Sequence, residues 1–305
     1  VKRNWIFATL VLSLTLSFVF FIYSFLNIKN HFVKFVLPEI KKIVAKETGM
    51  ELNIADVSLS FKKLIQLSPA IKIKQIQLGE TLQIKELILV INLKSLINKE
   101  IKIKKILIKE LKVLLEENEK REIKIKNLEM KKSKSKESNH LLEKINKFTI
   151  EEILITDSSV SFYAYKTKDP INLTDIELKI KDIKLHENKS LIGFYDFKSK
   201  IFGQKSRIRA HGEFGPLDLN LKKYPLKGKE EIVVYIKELP NEMKKQILTP
   251  DVIVSDSSNI EQNAYVNGDF NSSINGTGNI VINNILLGKN PEYRLGLNTT
   301  LEHSF

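Results

Sequence analysis

From Met50 onward, apolar residues recur at every second position, and that period constrains the fold more than any other feature of the chain. "ELNIADVSLSF" alternates through Leu52 and Ile54, then Val57, Leu59 and Phe61. "AIKIKQIQL" does so through Ile71 and Ile73, then Ile76 and Leu78, and "LQIKELILVINL" through Leu87, Leu89, Ile91 and Leu93. A period of two sets one group of side chains on one face of a strand and the rest on the other. The stretch "IKIKKILIKELKVLL" (101–115) is the hardest to assign. It alternates through Ile101 and Ile103, slips at Lys104-Lys105, resumes at Ile106 and Ile108, and slips again at Lys109-Glu110 before Leu111, Val113 and Leu115. A helical face through Ile103, Leu107, Leu111 and Leu114 is also possible. Ile and Val, however, supply five of its nine apolar residues, and the neighbouring segments alternate likewise. The slips therefore read as bulges or kinks in strands, with the lysines on the opposite, solvated face.

The pattern repeats. Residues 104–120 align without gaps on residues from 151 onward, so Ile106 matches Ile153, Ile108 matches Ile155, Val113 matches Val160 and Leu115 matches Phe162, a spacing of 47 residues. Repetition of one unit predicts a stacked or extended β architecture. Between the copies, "KKSKSKESN" is a low-complexity polar run that marks an internal boundary. From Asp251 the chain turns Asn-, Ser- and Gly-rich, with six acidic residues against two basic, and Gly276 and Gly278 read as turn or bulge positions.

Ahead of the strands, residues 5–28 carry no charge. As a helix rising about 1.5 Å per residue, this run is long enough to cross a hydrocarbon core of about 30 Å. Trp5 and Tyr23 sit near its ends, where interfacial aromatic belts lie, and Phe7, Leu10, Leu14, Phe18, Phe21 and Phe25 supply apolar length between them. Its length and the lack of a small-residue cleavage site favour an uncleaved anchor over a signal peptide. Lys29, Lys34, Lys41, Lys42 and Lys46 follow the span, but long domains cross membranes regardless of such charges, so charge leaves the side open. Next, Phe32, Val36, Ile40 and Ile43 mark one face of a short amphipathic helix, with Pro38 near its start and Gly49 at its stop.

The expected organisation is an anchor (1–28), a linker helix (29–49), a first β-rich repeat region (50–130), a polar linker (131–140), a second β-rich region (141–250), and an Asn/Ser/Gly-rich β tail (251–305) of a truncated or short form of a longer protein.

Composition narrows the chemistry. There is no cysteine, which removes disulfides and thiolate chemistry. The net charge of +13 comes mainly from lysine; arginine, the side chain best suited to reading bases and phosphates in a planar fork, occurs only at positions 3, 121, 207, 209 and 294. His31, His140, His186, His211 and His303 are scattered without metal-ligand spacing. No phosphate loop, nucleophile elbow or dinucleotide-binding glycine motif is present in the sequence. "DVIVSDSSN" (251–259) lacks the Gly and terminal Glu of a calcium loop and reads as a polar turn. No enzyme, no cofactor and no nucleic-acid partner are expected.

A long one-sided sheet must bury its apolar face. It can curl into a closed sandwich or barrel, the outcome favoured by packing alone, or remain an open trough whose floor is covered by something apolar. A closed, membrane-tethered β-scaffold that binds envelope proteins at a sheet edge is the main alternative to a lipid trough. A Lys face on anionic lipid headgroups or nucleic acid is a third.

The single N-terminal span, followed by "LPEIKKIVAKETGMELNIADVSLSF" and then "IKIKQIQLGETLQIKELILVINLKSLINKEIKIKKILIKELKVLL", resembles the start of AsmA-type proteins. The likeness lies in the Thr48-Gly49 turn after the short helix, the "V-S-L-S" strand and the repeated Ile/Leu run. It covers residues 1–165 well and the remainder loosely, and the chain lacks that family's aromatic-rich stretch after the repeat. The resemblance implies a mostly β fold in which an elongated, curved antiparallel sheet forms a groove. It further implies a single-pass inner-membrane protein with its body in the periplasm, and acyl-chain shielding in support of lipid transport to, or assembly of, the outer membrane. Ile101, Ile103, Ile106, Ile108, Ile153, Ile155, Val160 and Phe162 are the expected groove floor. Roughly fifteen strands about 4.8 Å apart would make it about 70 Å long.

Overall fold

The computed structural model describes residues 33–34, 37–60, 69–92, 101–119, 123–127, 148–165, 169–185, 191–217, 225–248, 252–269, 273–287 and 295–304. The apolar run 5–28 and the polar linker 131–140 lie outside them. Among the described residues, no helix is long and apolar enough to cross a membrane.

Helix α1 spans Leu37–Thr48. It starts one residue before Pro38 and stops where Gly49 takes φ +71°, the left-handed conformation suited to a helix end, with Gly49 N–H donating to the Ala45 carbonyl at 2.9 Å.

All thirteen described strands belong to one sheet. They are β1 (Leu52–Ser60), β2 (Ala70–Leu78), β3 (Leu82–Ile91), β4 (Ile101–Glu117), β5 (Ile123–Ile125), β6 (Phe148–Tyr163), β7 (Ile171–Leu185), β8 (Leu191–Ile201), β9 (Arg207–Leu217), β10 (Pro225–Tyr235), β11 (Val252–Asp269), β12 (Ser273–Leu287) and β13 (Leu295–Ser304). Each strand lies beside its sequence neighbour, except that β4 pairs β6 while the short β5 pairs the end of β4. At the two ends of the sheet, β1 and β13 pair on one side only among the described residues.

The sheet is mixed where a wholly antiparallel one is expected from sequence. β4 and β6 run parallel, and their register is that of the sequence repeat: Ile106 faces Ile153, Ile108 faces Ile155, Val113 faces Val160 and Leu115 faces Phe162. Two copies of one pattern lying side by side in parallel stack like on like. The segment between them, with β5 at its start, provides the return that a parallel pair requires.

The slip at Lys104-Lys105 is a register shift against β3, whereas the slip at Lys109-Glu110 belongs to a line of left-handed residues. Glu110 and Asp157 occupy equivalent positions of the two repeats, and both adopt positive φ, 50° and 54°. Gln75 does the same at 51° in β2. Gln75 lies opposite Lys85, and Lys85 opposite Glu110, between the flanking pairs Ile76–Ile84 and Lys74–Glu86 on one side and Ile84–Leu111 and Glu86–Lys109 on the other. A line of left-handed residues thus runs through β2, β4 and β6, with Lys85 of β3 between Gln75 and Glu110. Each left-handed residue resets the pleat, so Ile73 and Ile76, Ile108 and Leu111, and Ile155 and Ser158 all return to the same face. All three residues are polar, Asp157 being of the type that tolerates that conformation best, and the Lys85–Glu110 ion pair spans the line.

Kinks leave backbone groups without ladder partners, and buried serines supply them. Ser158, just after Asp157, is 2% exposed; its hydroxyl accepts from Leu111 N–H at 3.0 Å and donates to the Thr156 carbonyl at 2.8 Å. Ser158→Ala is expected to destabilise the protein by about 1–3 kcal/mol, the cost of one buried unsatisfied donor, read as a lower urea midpoint at unchanged slope. Of the expected polar turn at 251–259, residues 252–259 instead belong to β11, with a register break between Val254 and Asn259. There the fully buried Ser258 donates to the Asn284 carbonyl at 2.6 Å. Gly276 and Gly278, expected at turn or bulge positions, sit in regular strand opposite Val266 and Ala264.

After β10, a 3-10 turn (Ile236–Glu238) and helix α2 (Asn241–Ile247) fold over one end of the sheet. Ile236, Leu239 and Ile285 form a buried core there with Phe202, Val234, Met243, Leu248, Val254, Ile260 and Ile282 around them. Glu238 fastens this cap. Its carboxylate accepts from the backbone N–H groups of Gln204, Lys205 and Ser206 at 2.8, 2.9 and 2.7 Å and from the Ser206 hydroxyl at 2.6 Å.

Candidate functional site

Residues directly opposite one another in adjacent strands share a face, so the register traces the apolar face row by row. One row runs Val57, Ile73, Leu87, Ile108, Ile155, Leu178, Phe197, Ala210, Glu230, Ala264 and Gly278. The row beside it runs Ile71, Leu89, Ile106, Ile153, Ile180, Tyr195, Gly212, Gly228, Val266 and Gly276. From β2 to β8 these rows are Ile, Leu and aromatic residues without a charge.

The eight residues expected to form a floor fall together on β4 and β6. Ile106 pairs Ile153 and Ile108 pairs Ile155; Ile103 pairs Ile150, Val160 pairs Val113, and Phe162 pairs Leu115. Ile101 pairs Phe148 at the start of β4, and its side chain lies outside those described. Ile103, Ile106, Ile108, Ile153, Ile155, Val160 and Phe162 are half-buried. In a closed sandwich a second sheet would cover them fully; no second sheet is present among the described residues. The expected anchor residues Trp5, Phe7, Leu10, Leu14, Phe18, Phe21, Tyr23 and Phe25 lie outside the described residues.

The opposite face is a lattice of ion pairs. Glu86 takes Lys72 from β2 and Lys109 from β4, and Glu152 takes Lys105 at 2.9 Å and Lys179 at 3.2 Å. The Lys72 ammonium, with Lys109 behind it, holds the Glu86 carboxyl below the usual carboxylate range against the cost of its burial; Lys105, with Lys179, does the same for Glu152. On these central strands, lysines of this face are therefore matched against carboxylates of a neighbouring strand. Half-exposed pairs of this kind stabilise by only about 0.2–1 kcal/mol each, so their main effect is to fix register and keep this face in water.

Sequence periodicity missed the change that follows β8. In these two rows, from β9 to β12, Ile and Leu give way to Ala210, Gly212, Gly228, Ala264, Gly276 and Gly278, and a carboxylate, Glu230, appears among them, while the next row of the same face keeps Ile208, Ile232 and Ile280. Gln262 donates to Glu230 Oε1 at 3.4 Å. The Tyr195 hydroxyl lies over Gly228, where an added Cβ would come within 2.3 Å of it. Burial raises the Tyr195 phenol above its ordinary value, and the Glu230 charge adds to the rise. The signal was present in "LKGKEEIVV", where the apolar register Leu226, Ile232, Val234 predicts an apolar residue at 230 and meets a Glu.

Among the described residues, no three His, Asp or Glu side chains gather as a metal-binding group. No family model, curated protein or solved structure matches this chain.

Proposed function

We propose that the apolar face is a lipid-tail trough: a membrane-anchored, AsmA-like protein, held in the inner membrane by residues 5–28 with its body in the periplasm, shields phospholipid acyl chains there and supports lipid transport to, or assembly of, the outer membrane. The observation that carries this reading is the continuous Ile/Leu surface on an open sheet. Its central residues are half-buried, neither sealed in a core nor replaced by polar side chains. Apolar surface of that extent is stable when an apolar partner covers it, at roughly 25 cal/mol per Å² removed from water. Beside a bilayer, acyl chains are the abundant partner. The ion-paired opposite face suits a wall that stands in water, and the α2 cap closes one end of the apolar face.

The test is mass spectrometry of lipid retained by the full chain purified in mild detergent, compared with the double variant Ile106→Asp/Ile153→Asp. These two residues face one another at the centre of the floor and keep access to water, so the variant is expected to fold, as circular dichroism will check. Bound phospholipid is expected in the wild type and a loss of about tenfold in the variant, equivalent to about 1.4 kcal/mol. Equal retention in both would place the lipid at the anchor and sink the trough. A folded body free of lipid would favour the scaffold, in which the single-sided edges of β1 and β13 receive a partner's strand.

A further inference from the structure

On the water-facing side of the sheet, the matching of lysine to carboxylate breaks down after β7. The register puts Lys198 of β8, Arg209 of β9, Glu231 of β10 and Asn263 of β11 in one row of that side, and Asp196, His211, Lys229 and Tyr265 in the row beside it. All but Glu231 are exposed, and together they line a concavity of about 490 Å³. Arg207 holds Glu231 at 2.9 Å, and Arg209 reaches the same carboxylate only at 3.9 Å. Among the described residues, no side-chain hydrogen bond or ion pair engages Asp196, Lys198, His211 or Lys229. The concavity therefore offers cations in excess of its free carboxylate. Exposed aromatic rings are the second feature. Of the large apolar side chains left exposed among the described residues, Tyr265, 38% exposed, lies inside the concavity, and Phe194, 55% exposed, stands two residues from Asp196 on the same side. Phe194 on β8 and Tyr265 on β11 are three strand spacings apart, about 14 Å at about 4.8 Å each, with the cations of β9 and β10 between them. Each ring presents a flat, partially negative face to the solvent, and such a face attracts C–H groups.

We propose that this concavity binds an acidic glycan, with a sugar ring stacked on Tyr265 and its carboxylates taken by Lys198, Arg209 and Lys229. A ligand that fits must bring anionic groups for the cations, C–H faces for the rings, and hydroxyl donors for the Asp196 and Glu231 carboxylates. Acidic sugars bring all three. A nucleic-acid strand also brings rings and charge, but it carries a phosphate on every unit, and Asp196 and Glu231 would repel those phosphates from among the lysines. In a glycan with an acid on every second unit, the intervening hydroxyls meet the carboxylates instead. The site uses the side of the sheet opposite the Ile/Leu floor, so it does not depend on the trough.

The experiment titrates the full chain in neutral detergent with three probes of equal length, read by isothermal titration calorimetry at physiological salt. They are an oligosaccharide of alternating glucuronic acid and N-acetylglucosamine, a neutral oligomer of N-acetylglucosamine, and single-stranded oligothymidine. The acidic oligosaccharide is expected to bind about tenfold tighter than either of the others. Tyr265→Thr removes the ring and keeps a strand-favouring side chain, and Lys198→Gln/Lys229→Gln removes two charges from exposed positions. Both variants are expected to fold, as circular dichroism will check, and each to weaken the acidic oligosaccharide about tenfold. The lysine variant should leave the neutral oligomer unchanged. Wild-type affinity for the acidic oligosaccharide in Tyr265→Thr would reduce the site to unspecific charge attraction and overturn the proposal. Equal binding of the acidic and neutral oligomers would overturn it by denying the cations a role, and oligothymidine binding as tightly as the acidic oligosaccharide would make this a nucleic-acid face instead. No binding of the acidic oligosaccharide to the folded wild type would overturn it outright. None of these outcomes bears on lipid retention by the other face.

Discussion

Gly212→Ala is expected to cost about 3 kcal/mol or more, among the largest effects of any single methyl group added to this chain. Gly212 of β9 faces Gly228 of β10, and a Cβ on Gly212 would meet the Lys227 carbonyl oxygen at 2.1 Å and the Gly228 Cα at 2.6 Å. Both are backbone atoms of the paired strand, so no side chain can rotate away, and relief requires parting the two strands. Overpacking in well-packed regions costs about 1–3 kcal/mol and more where the backbone must move. A glycine inside a strand often marks such a close approach. Urea unfolding of wild type and variant measures the difference; a change within about 0.5 kcal/mol, the size of a neutral surface substitution, would show that the strands are not so close. Because Tyr195 pairs Gly212 from the other side, the variant also disturbs the border between the Ile/Leu floor and the small-residue patch.

Periodicity carried the strands and both faces. The slip at Lys109-Glu110 was legible as a kink because two polar residues in a row break an alternation that then resumes. The repeat was legible because Ile106, Ile108 and Val113 recur as Ile153, Ile155 and Val160. That the two copies pair in parallel was not legible, since alternation specifies a face and says nothing of the neighbouring strand's direction. The openness of the sheet was hidden for a related reason: an alternating strand has the same pattern whether its apolar side meets a second sheet or a ligand. The small-residue patch was hidden because glycine in a strand pattern reads first as a turn, whereas Gly278 serves to let the Asn263 carbonyl and Ala264 approach. The Glu238 clasp was beyond any local pattern, because its partners lie more than thirty residues away, in the β8–β9 turn.

That clasp should make stability depend on acid in a definite sense. Burial pushes the Glu238 carboxyl up, but the Ser206 hydroxyl and the backbone N–H groups of Lys205, Ser206 and Gln204 together outweigh it and hold the carboxyl below its ordinary value. Gly203 is part of the arrangement, for a Cβ there would strike the Glu238 carboxylate. A group whose pKa is depressed in the folded state binds fewer protons folded than unfolded, so its contribution is complete above the unfolded value, near 4.3, and is lost as pH falls through the lower folded value. At pH 7, Glu238→Ala removes a set of charge-assisted hydrogen bonds, one of them to the fully buried Ser206, and is expected to destabilise by about 2–3 kcal/mol. Gln204 and Lys205 are exposed and regain water, which keeps the loss from being larger. In acid the wild type loses the same interactions by protonation, so the two urea midpoints should converge below about pH 4. Glu86 and Glu152 titrate in the same direction, but they do so in both proteins and leave the difference to Glu238. A gap that stays constant from pH 7 to pH 3 would assign the effect of the substitution to lost packing and deny the carboxylate its charge-dependent hold on the cap.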